Sequence, residues 1–351
     1  MRPHKNIPIN KGNYSLDTPE REELFTRNRA YGVENDYCRN RKEWEEFPNK
    51  FHVADYPLLV DLELSTLCNL KCPFCYTITE DFSKKVDARL MDFELFKKVI
   101  DEIGNRVFAI RLSLRGEPTI HPNFIETIRY AKENGIKEVS TLTNGSKLTL
   151  DFFEKSMKAG LDWITLSFDG LYEEYEKNRY PLKFDVMYNR LREIKKIKQK
   201  ANKVKPVIKI QTVWPAIEQD PTQYYKMMSE VCDLVAFNPI IDFKHSTPYE
   251  EIEFEEDFSC PQLYQRLVVG ADGVVLMCSN DEESELPVGN AYQETIYEIW
   301  HGDEMTKRRN IHKEKDGFKK LSTCRKCYIP RKTQEDIFEV NQRPLIVRNY
   351  I

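Results

Sequence analysis

The 351-residue chain has no run of about 18 apolar residues, the length a membrane-crossing helix needs. Its first ten residues are polar and lack the apolar stretch of a secretory signal. Positive charge is not in excess either. Lys and Arg number 53 against 57 Asp and Glu, a formal net charge of −4, which leaves no basic footprint for nucleic acid. These absences predict a cytoplasmic protein that works on neither membranes nor nucleic acid. What the chain does have is nine cysteines, and in a reducing compartment these read as metal ligands or free thiols rather than disulfides.

Three of them, Cys68, Cys72 and Cys75, share one short segment with the spacing C-x3-C-x2-C. Thiolates are soft ligands that select iron-sulfur clusters, zinc or Cu(I), and a closed site usually takes four. Three thiols therefore leave one corner of an iron-sulfur cube open for chemistry. The rival, a structural zinc or disulfide site, would need a further ligand close by, and no His, Asp or Glu follows before Glu80.

Past this loop, short β-branched runs alternate with helical stretches, the cadence of consecutive βα units on a parallel sheet. Strands are expected near Leu59–Leu64, Val107–Leu114, Glu138–Thr143, Trp163–Phe168, Val207–Val213 and Leu234–Asn238. Helices are expected near Asp92–Gly104, Asn123–Asn134, Leu150–Ala159, Val186–Lys200 and Thr222–Cys232. Six such units predict an α/β fold, a partial (β/α)6 TIM-like barrel. Polar residues alternate with apolar ones along the strands, placing Asp61, Glu63, Arg111, Ser113, Thr165, Ser167, Lys209 and Gln211 on the face opposite the outer helices. A barrel interior is normally filled by branched apolar side chains; this one reads as polar and wet.

The three-cysteine loop and the aromatic Tyr76 behind it resemble the signature of the radical S-adenosylmethionine (radical SAM) enzymes, and the resemblance runs over about Leu59 to Pro239. Arg115-Gly116-Glu117-Pro118 is similar to the family's glycine-glycine-glutamate-proline motif, with Arg115 where the first glycine usually stands. Thr143-Asn144-Gly145 and Ser167-Phe168-Asp169-Gly170 end the next two strands as in many relatives. The resemblance implies a 4Fe-4S cluster on Cys68, Cys72 and Cys75, whose open iron is chelated by S-adenosylmethionine and whose electron releases a 5′-deoxyadenosyl radical. It further implies cofactor contacts from Tyr76, Phe74, Gly116, Glu117, Pro118, Asn144, Ser167, Arg179 and Gln211. Glu117 would hold the cofactor's ammonium group and Arg179 its carboxylate.

After an acidic segment the chain carries Cys260, a hairpin over Arg266–Gly270 and Gly273–Cys278 turning at Ala271-Asp272-Gly273, a helix near Thr295–Asn310, and Cys324-Arg325-Lys326-Cys327. Four thiols from a hairpin, its flank and a terminal C-x2-C can close around one metal centre. The order Cys260, Cys278, Cys324, Cys327 resembles the twitch domain, the short form of the SPASM domain, and implies a second, auxiliary 4Fe-4S cluster; a zinc ribbon is the rival. The expected organisation is an N-terminal polar extension or cap (1–56), the barrel (57–240), an acidic linker (241–259), the auxiliary domain with its hairpin and helix (260–330) and a C-terminal tail (331–351).

Sugar and aminocyclitol dehydrogenases and epimerases of the radical SAM family resemble this arrangement. They imply hydrogen abstraction from a small polar substrate, the auxiliary cluster as electron conduit, and an external donor such as flavodoxin or ferredoxin. The proton of a dehydrogenation would go to a lumen group, Glu63, Asp61, Arg111 or Lys209. An epimerase would draw a hydrogen atom from a thiol, and Cys232 and Cys38 are the two left unassigned. Maturation of a ribosomal peptide is the alternative, which the short, polar first 56 residues argue against, and a non-catalytic iron-sulfur scaffold is the second.

Overall fold

The computed structural model describes residues 5–12, 14–239 and 248–351. Its main sheet has strands β1 (Tyr14–Ser15), β2 (Leu59–Leu62), β3 (Ala109–Arg111), β4 (Glu138–Thr143), β5 (Trp163–Ser167), β6 (Val207–Val213), β7 (Leu234–Asn238), β8 (Arg266–Val269), β9 (Val274–Leu276) and β10 (Pro287–Asn290). The spatial order is β1-β7-β6-β5-β4-β3-β2-β8-β9-β10. Strands β2 to β7 are parallel to one another, β1 pairs antiparallel with β7, and helices connect the parallel strands. This is the expected α/β partial barrel, with its helix-side core built on Val60, Leu62, Ile110, Leu112, Ile164, Leu166, Ile208 and Ile210.

Local signals set many boundaries. The Asp92 side chain accepts from Glu94 N to start helix Phe93–Ile103, which buries Leu95, Phe96, Val99, Ile100 and Ile103 at helical spacing. Thr149 caps helix Leu150–Ala159, and Gly160, at φ 98°, ends it. The helix expected over Thr295–Asn310 is instead two, Ile296–His301 and Asp303–Lys313, because Gly302 adopts an extended conformation between them.

Three segments differ from a simple string of modules. The hairpin strand β8 runs parallel to β2, pairing Asp61 with Val268, so the cysteine-bearing C-terminal region extends the barrel sheet. The N-terminal helices Pro19–Ala30 and Glu34–Lys50 lie under the amino-terminal strand ends: Arg29 donates to Glu138 at 2.7 and 2.6 Å, and Asn40 Nδ2 to Leu58 O at 3.2 Å. Residues 331–351, read from the sequence as a tail, form an antiparallel hairpin of β11 (Thr333–Val340) and β12 (Arg343–Tyr350). Its Arg343 donates to the carbonyls of Leu16 and Asp17 at 2.7 Å each.

Part of the acidic linker, residues 241–247, lies outside the described residues. The described remainder is no free strap, since Glu255 accepts from Asn6 Nδ2 at 3.1 Å and Lys11 Nζ at 3.3 Å, and Asp257 pairs with Lys5. Acidic residues there meet lysines from both chain ends instead of water alone.

Candidate functional site

The carboxyl-terminal rim of the strands gathers the three-cysteine loop and the motifs that end β3, β4 and β5. Gly116 packs so closely on this loop that a Cβ would lie 2.4 Å from Leu67 O and 2.5 Å from Ser65 O; Gly116 N and Glu117 N donate to those same two residues' carbonyls, Ser65 O at 3.2 Å and Leu67 O at 2.8 Å. Only glycine allows this approach. The Glu117 side chain turns inward, 2% exposed, and accepts from Thr119 N, Thr119 Oγ1, Thr143 Oγ1 and Asn144 N at 2.5 to 3.1 Å. Burial raises its pKa, an effect these donors offset in part. The carboxylate thus braces the rim, with three donors on Oε1 and Asn144 N on Oε2. Pro118 opens the short 3-10 turn that presents Thr119 to it.

Donors point at all three thiols. Asn144 Nδ2 lies 3.8 Å from Cys68 Sγ and 3.0 Å from Asn69 Oδ1, Arg179 Nη1 is 3.5 Å from Cys72 Sγ, and Thr77 Oγ1 is 3.0 Å from Cys75 Sγ. Arg179 is itself locked on Asp169, through Nε at 2.6 Å and a second contact, and its guanidinium lies 5.7 Å from the Phe74 ring. Asp169 also accepts from Val213 N at 3.0 Å, so the ends of β5 and β6 brace the arginine. Without metal, burial pushes the Cys72 thiol up to about 11. Donors aimed at buried sulfurs suit thiolates bound to iron. Tyr76 packs edge-on against Phe82 at 5.5 Å, Ser167 ends β5 on the lumen side, and Gln211 is paired with Asn238 from β7.

The second set is more enclosed. Cys260, Cys278, Cys324 and Cys327 line one cavity with Phe258, Met277, Asn280, His312 and Ile329. Cys327 Sγ accepts from Asn280 Nδ2 and Ile329 N, each at 3.4 Å; backbone N–H groups of Gln262 and Leu263 face the Cys260 thiol. His312 was missed by sequence reasoning, because it lies twelve positions before Cys324 in no ligand spacing. Its Nδ1 accepts from Cys260 N at 3.2 Å and its Nε2 lies 3.5 Å from Cys324 Sγ. Among the described residues no group of three His, Cys, Asp or Glu closes tightly enough for a single metal ion.

Between the two sets, the lumen charges cancel one another. Asp61, fully buried, lies between Arg111 (Nε to Oδ1, 2.8 Å) and Arg266 (Nε to Oδ2, 3.4 Å), close charge contacts whose N–H bonds are not aimed along the line to the oxygen. Glu63, also fully buried, takes Arg115 Nε at 2.6 Å, a second Arg115 nitrogen, and Ala271 N at 3.2 Å. An unpaired buried charge costs several kcal/mol, so a lumen this charged must pair internally. Asp61 and Glu63, expected as proton acceptors, both lie in close charge contact with arginines, Arg111 among them. Lys209 is buried lower on β6, and burial, with the Arg29 charge, lowers its pKa to about 7. Cys232 sits at the amino-terminal end of β7, away from the rim, with its thiol donating to Leu234 O at 3.2 Å, and Cys38 is exposed on the helix under the barrel. Both thiols lie away from the rim, at the amino-terminal side of the sheet.

Arg115, the departure from the family glycine, also donates to Ser284 Oγ at 2.8 Å and Glu282 O at 3.3 Å. It fastens the barrel rim to the loop Asp281–Leu286, which the other side holds through Thr323 on Asp281 and Ser322 and Lys326 on Glu285. Within that loop Glu282 is the exception. Among the described residues no other side chain donates to its carboxylate, and burial raises its pKa to about 8 against the pull of its own backbone N–H and of Arg115. The Glu282 charge reaches Tyr76 from the first loop and Cys327 and Tyr328 from the second set.

Residues 62–211 match the Radical SAM superfamily, and residues 260–328 match SPASM, an iron-sulfur cluster-binding domain. The chain thus carries a radical SAM domain followed by a C-terminal SPASM domain. Its cofactors are accordingly 4Fe-4S clusters and S-adenosylmethionine. Over 141 residues it is 30% identical to the 7,8-dihydro-6-hydroxymethylpterin dimethyltransferase of Methanocaldococcus jannaschii, a stretch covering 38% of this chain and only 27% of that protein. The fold is similar to BtrN in complex with AdoMet and 2-DOIA (TM-score 0.52, 19% identity, 76% of this chain and 91% of that one). It is also similar to Streptococcus suis SuiB bound to S-adenosylmethionine (TM-score 0.54, 15% identity, 88% and 82%). At such identities the likeness is one of fold. Among the described residues no helix is long and apolar enough to cross a membrane.

Proposed function

We propose that the enzyme abstracts a hydrogen atom from a small polar molecule, a sugar or aminocyclitol, and oxidises or epimerises the carbon so opened. The observation that carries this reading is the charged lumen, where Asp61 and Glu63 meet Arg111, Arg266 and Arg115 on a sheet that joins the three-thiol region to the four-thiol region through β2 and β8. A polar substrate would exchange its water shell for Arg111, Arg266 and neighbouring rim groups, whereas an apolar one would strand them.

In this reading Cys68, Cys72 and Cys75 hold the first cluster, and Cys260, Cys278, Cys324 and Cys327 the auxiliary one. When bound, S-adenosylmethionine and its cluster supply a 5′-deoxyadenosyl radical, and the auxiliary cluster supplies an acceptor for one electron. Arg179 and Asn144 orient Cys72 and Cys68, while Phe74 and Tyr76 flank the adenosyl side. The Gly116–Glu117 backbone faces the methionyl amine, and Ser167 and Gln211 line the sheet end beneath. Conversion of a carbinol to a ketone removes one hydrogen atom, one electron and one proton; the proton goes to Glu282, a buried carboxylate near Arg115 to which, among the described residues, no side chain donates. An external one-electron donor reduces the enzyme.

The test is anaerobic reconstitution followed by turnover with sugars and aminocyclitols deuterated at single carbons. Deuterium in 5′-deoxyadenosine from one ring position is the expected result. Label recovered only from a peptide substrate would replace this reading with peptide maturation.

A further inference from the structure

Accepting the proposal above that the four C-terminal thiols hold a cluster, we infer that His312 is a positioning residue of that cluster: it donates Nε2–H to Cys324 Sγ and sets the reduction potential. The direction of the bond follows from the ring's other nitrogen. Cys260 N is a backbone amide and can only donate, and it points at His312 Nδ1 from 3.2 Å. Nδ1 must therefore offer its lone pair, since a proton there would set two donors face to face. In the neutral imidazole the proton is then on Nε2, the atom 3.5 Å from Cys324 Sγ.

The same reasoning excludes His312 as an iron ligand, because the nitrogen that faces the thiol carries hydrogen. The ring is completely buried, with Phe258 edge-on at 6.2 Å, so water does not compete for either bond. One side chain thus ties Cys260, which precedes the hairpin, to Cys324 in the terminal C-x2-C. Asn280 donates to Cys327 from 3.4 Å and completes a pair of side-chain donors on neighbouring thiols. Hydrogen bonds to cluster sulfurs stabilise the more negative, reduced state and raise the potential.

The full chain with Cys68, Cys72 and Cys75 changed to alanine isolates the auxiliary signal for redox titration followed by electron paramagnetic resonance. In that background His312→Met should lower the midpoint so that the reduced-to-oxidised ratio at fixed potential falls about tenfold, or about 59 mV for one electron. His312→Gln, which keeps an N–H of similar reach, should recover most of the shift. A fully loaded His312→Met cluster at the parental potential overturns the assignment. Should that variant fail to load, electron-nuclear double resonance on the parent protein grown with ¹⁵N-histidine decides. A weak nitrogen coupling with an exchangeable proton supports the bond; no coupling, or the strong coupling of a directly bound nitrogen, overturns it. Absence of any second cluster in the parent, with iron at about four per wild-type chain, would instead remove the reading on which this inference rests.

Discussion

The two cysteine regions are built on opposite plans. The loop at the barrel front leaves Cys68 exposed and Cys75 half-buried, and its sulfurs take single contacts from Asn144 after β4, Arg179 at the end of a helix beyond β5, and Thr77 of the loop itself. In the C-terminal cavity Cys278 and Cys324 are buried, and donors to the thiols come from the same local fold, Asn280, His312, Gln262, Leu263 and Ile329. The first plan leaves room for a ligand to arrive and depart; the second fixes a group that stays. Charge joins the two regions, because Arg115 pairs with Glu63 of the barrel and donates to the Glu282 carbonyl and Ser284 of the C-terminal region.

Breaking the open site should have the largest effect. Cys72→Ser should abolish 5′-deoxyadenosine release, leave about four irons per chain instead of about eight, and spare the auxiliary signal. Release that persists would end the assignment of the front loop. Glu282→Gln should come next, lowering ketone formation by roughly 10²- to 10⁴-fold while cofactor cleavage continues, which uncouples the two regions. Because Glu282 must be ionised to accept a proton, turnover should rise with pH through about 8, the value burial imposes in the presence of Arg115, Asp281 and Glu283. Equal loss of cleavage and product in the variant would show that Glu282 acts on the front site.

The seam itself is tested by stability. Arg115→Met strands the fully buried Glu63 and should cost about 3–5 kcal/mol, read by anaerobic urea unfolding of the metal-free chain. Adding Glu63→Gln should return much of the loss, since the stranded charge is then gone. Independent, additive losses would mean that the two residues do not act as a pair.

Much of this plan was legible in the sequence. The ends of β4, β6 and β7 and of helix Leu150–Ala159 fall where the residue pattern put them, because caps, glycines and β-branched runs are local signals. Strand β3 is shorter than the expected Val107–Leu114, since the chain beyond Arg111 bends to meet the cysteine loop through Gly116. The C-terminal hairpin escaped notice because its turn is Asn341-Gln342, both at positive φ, without the glycine that marks such turns. His312 and Glu282 escaped for a different reason: their partners are tertiary, and no spacing within the chain joins a histidine on helix Asp303–Lys313 to Cys260. The alternation of charges along β2 and β3 was visible, but alternation shows only which face a side chain takes. That Asp61 and Glu63 would be claimed by Arg111, Arg266 and Arg115 depends on β8 joining the sheet beside β2.

Lys209 marks a place the contrast should not reach. It lies low in the barrel, in register with Thr165 and Leu234, near the helix that carries Arg29 and distant from the rim. Its pKa falls from 10.5 to about 7 on folding, so between those values the unfolded chain holds more protons than the folded one. Stability then rises with pH across that window, and the cost of the buried ammonium is felt in full below it. Lys209→Met should therefore stabilise the metal-free chain at pH 6.5 by on the order of 2 kcal/mol, and the advantage should shrink as pH climbs toward 10. If Lys209 serves instead as the proton acceptor, the same variant will cleave S-adenosylmethionine normally, lose ketone formation and leave Glu282→Gln active, which reverses the roles of the two residues in a single comparison.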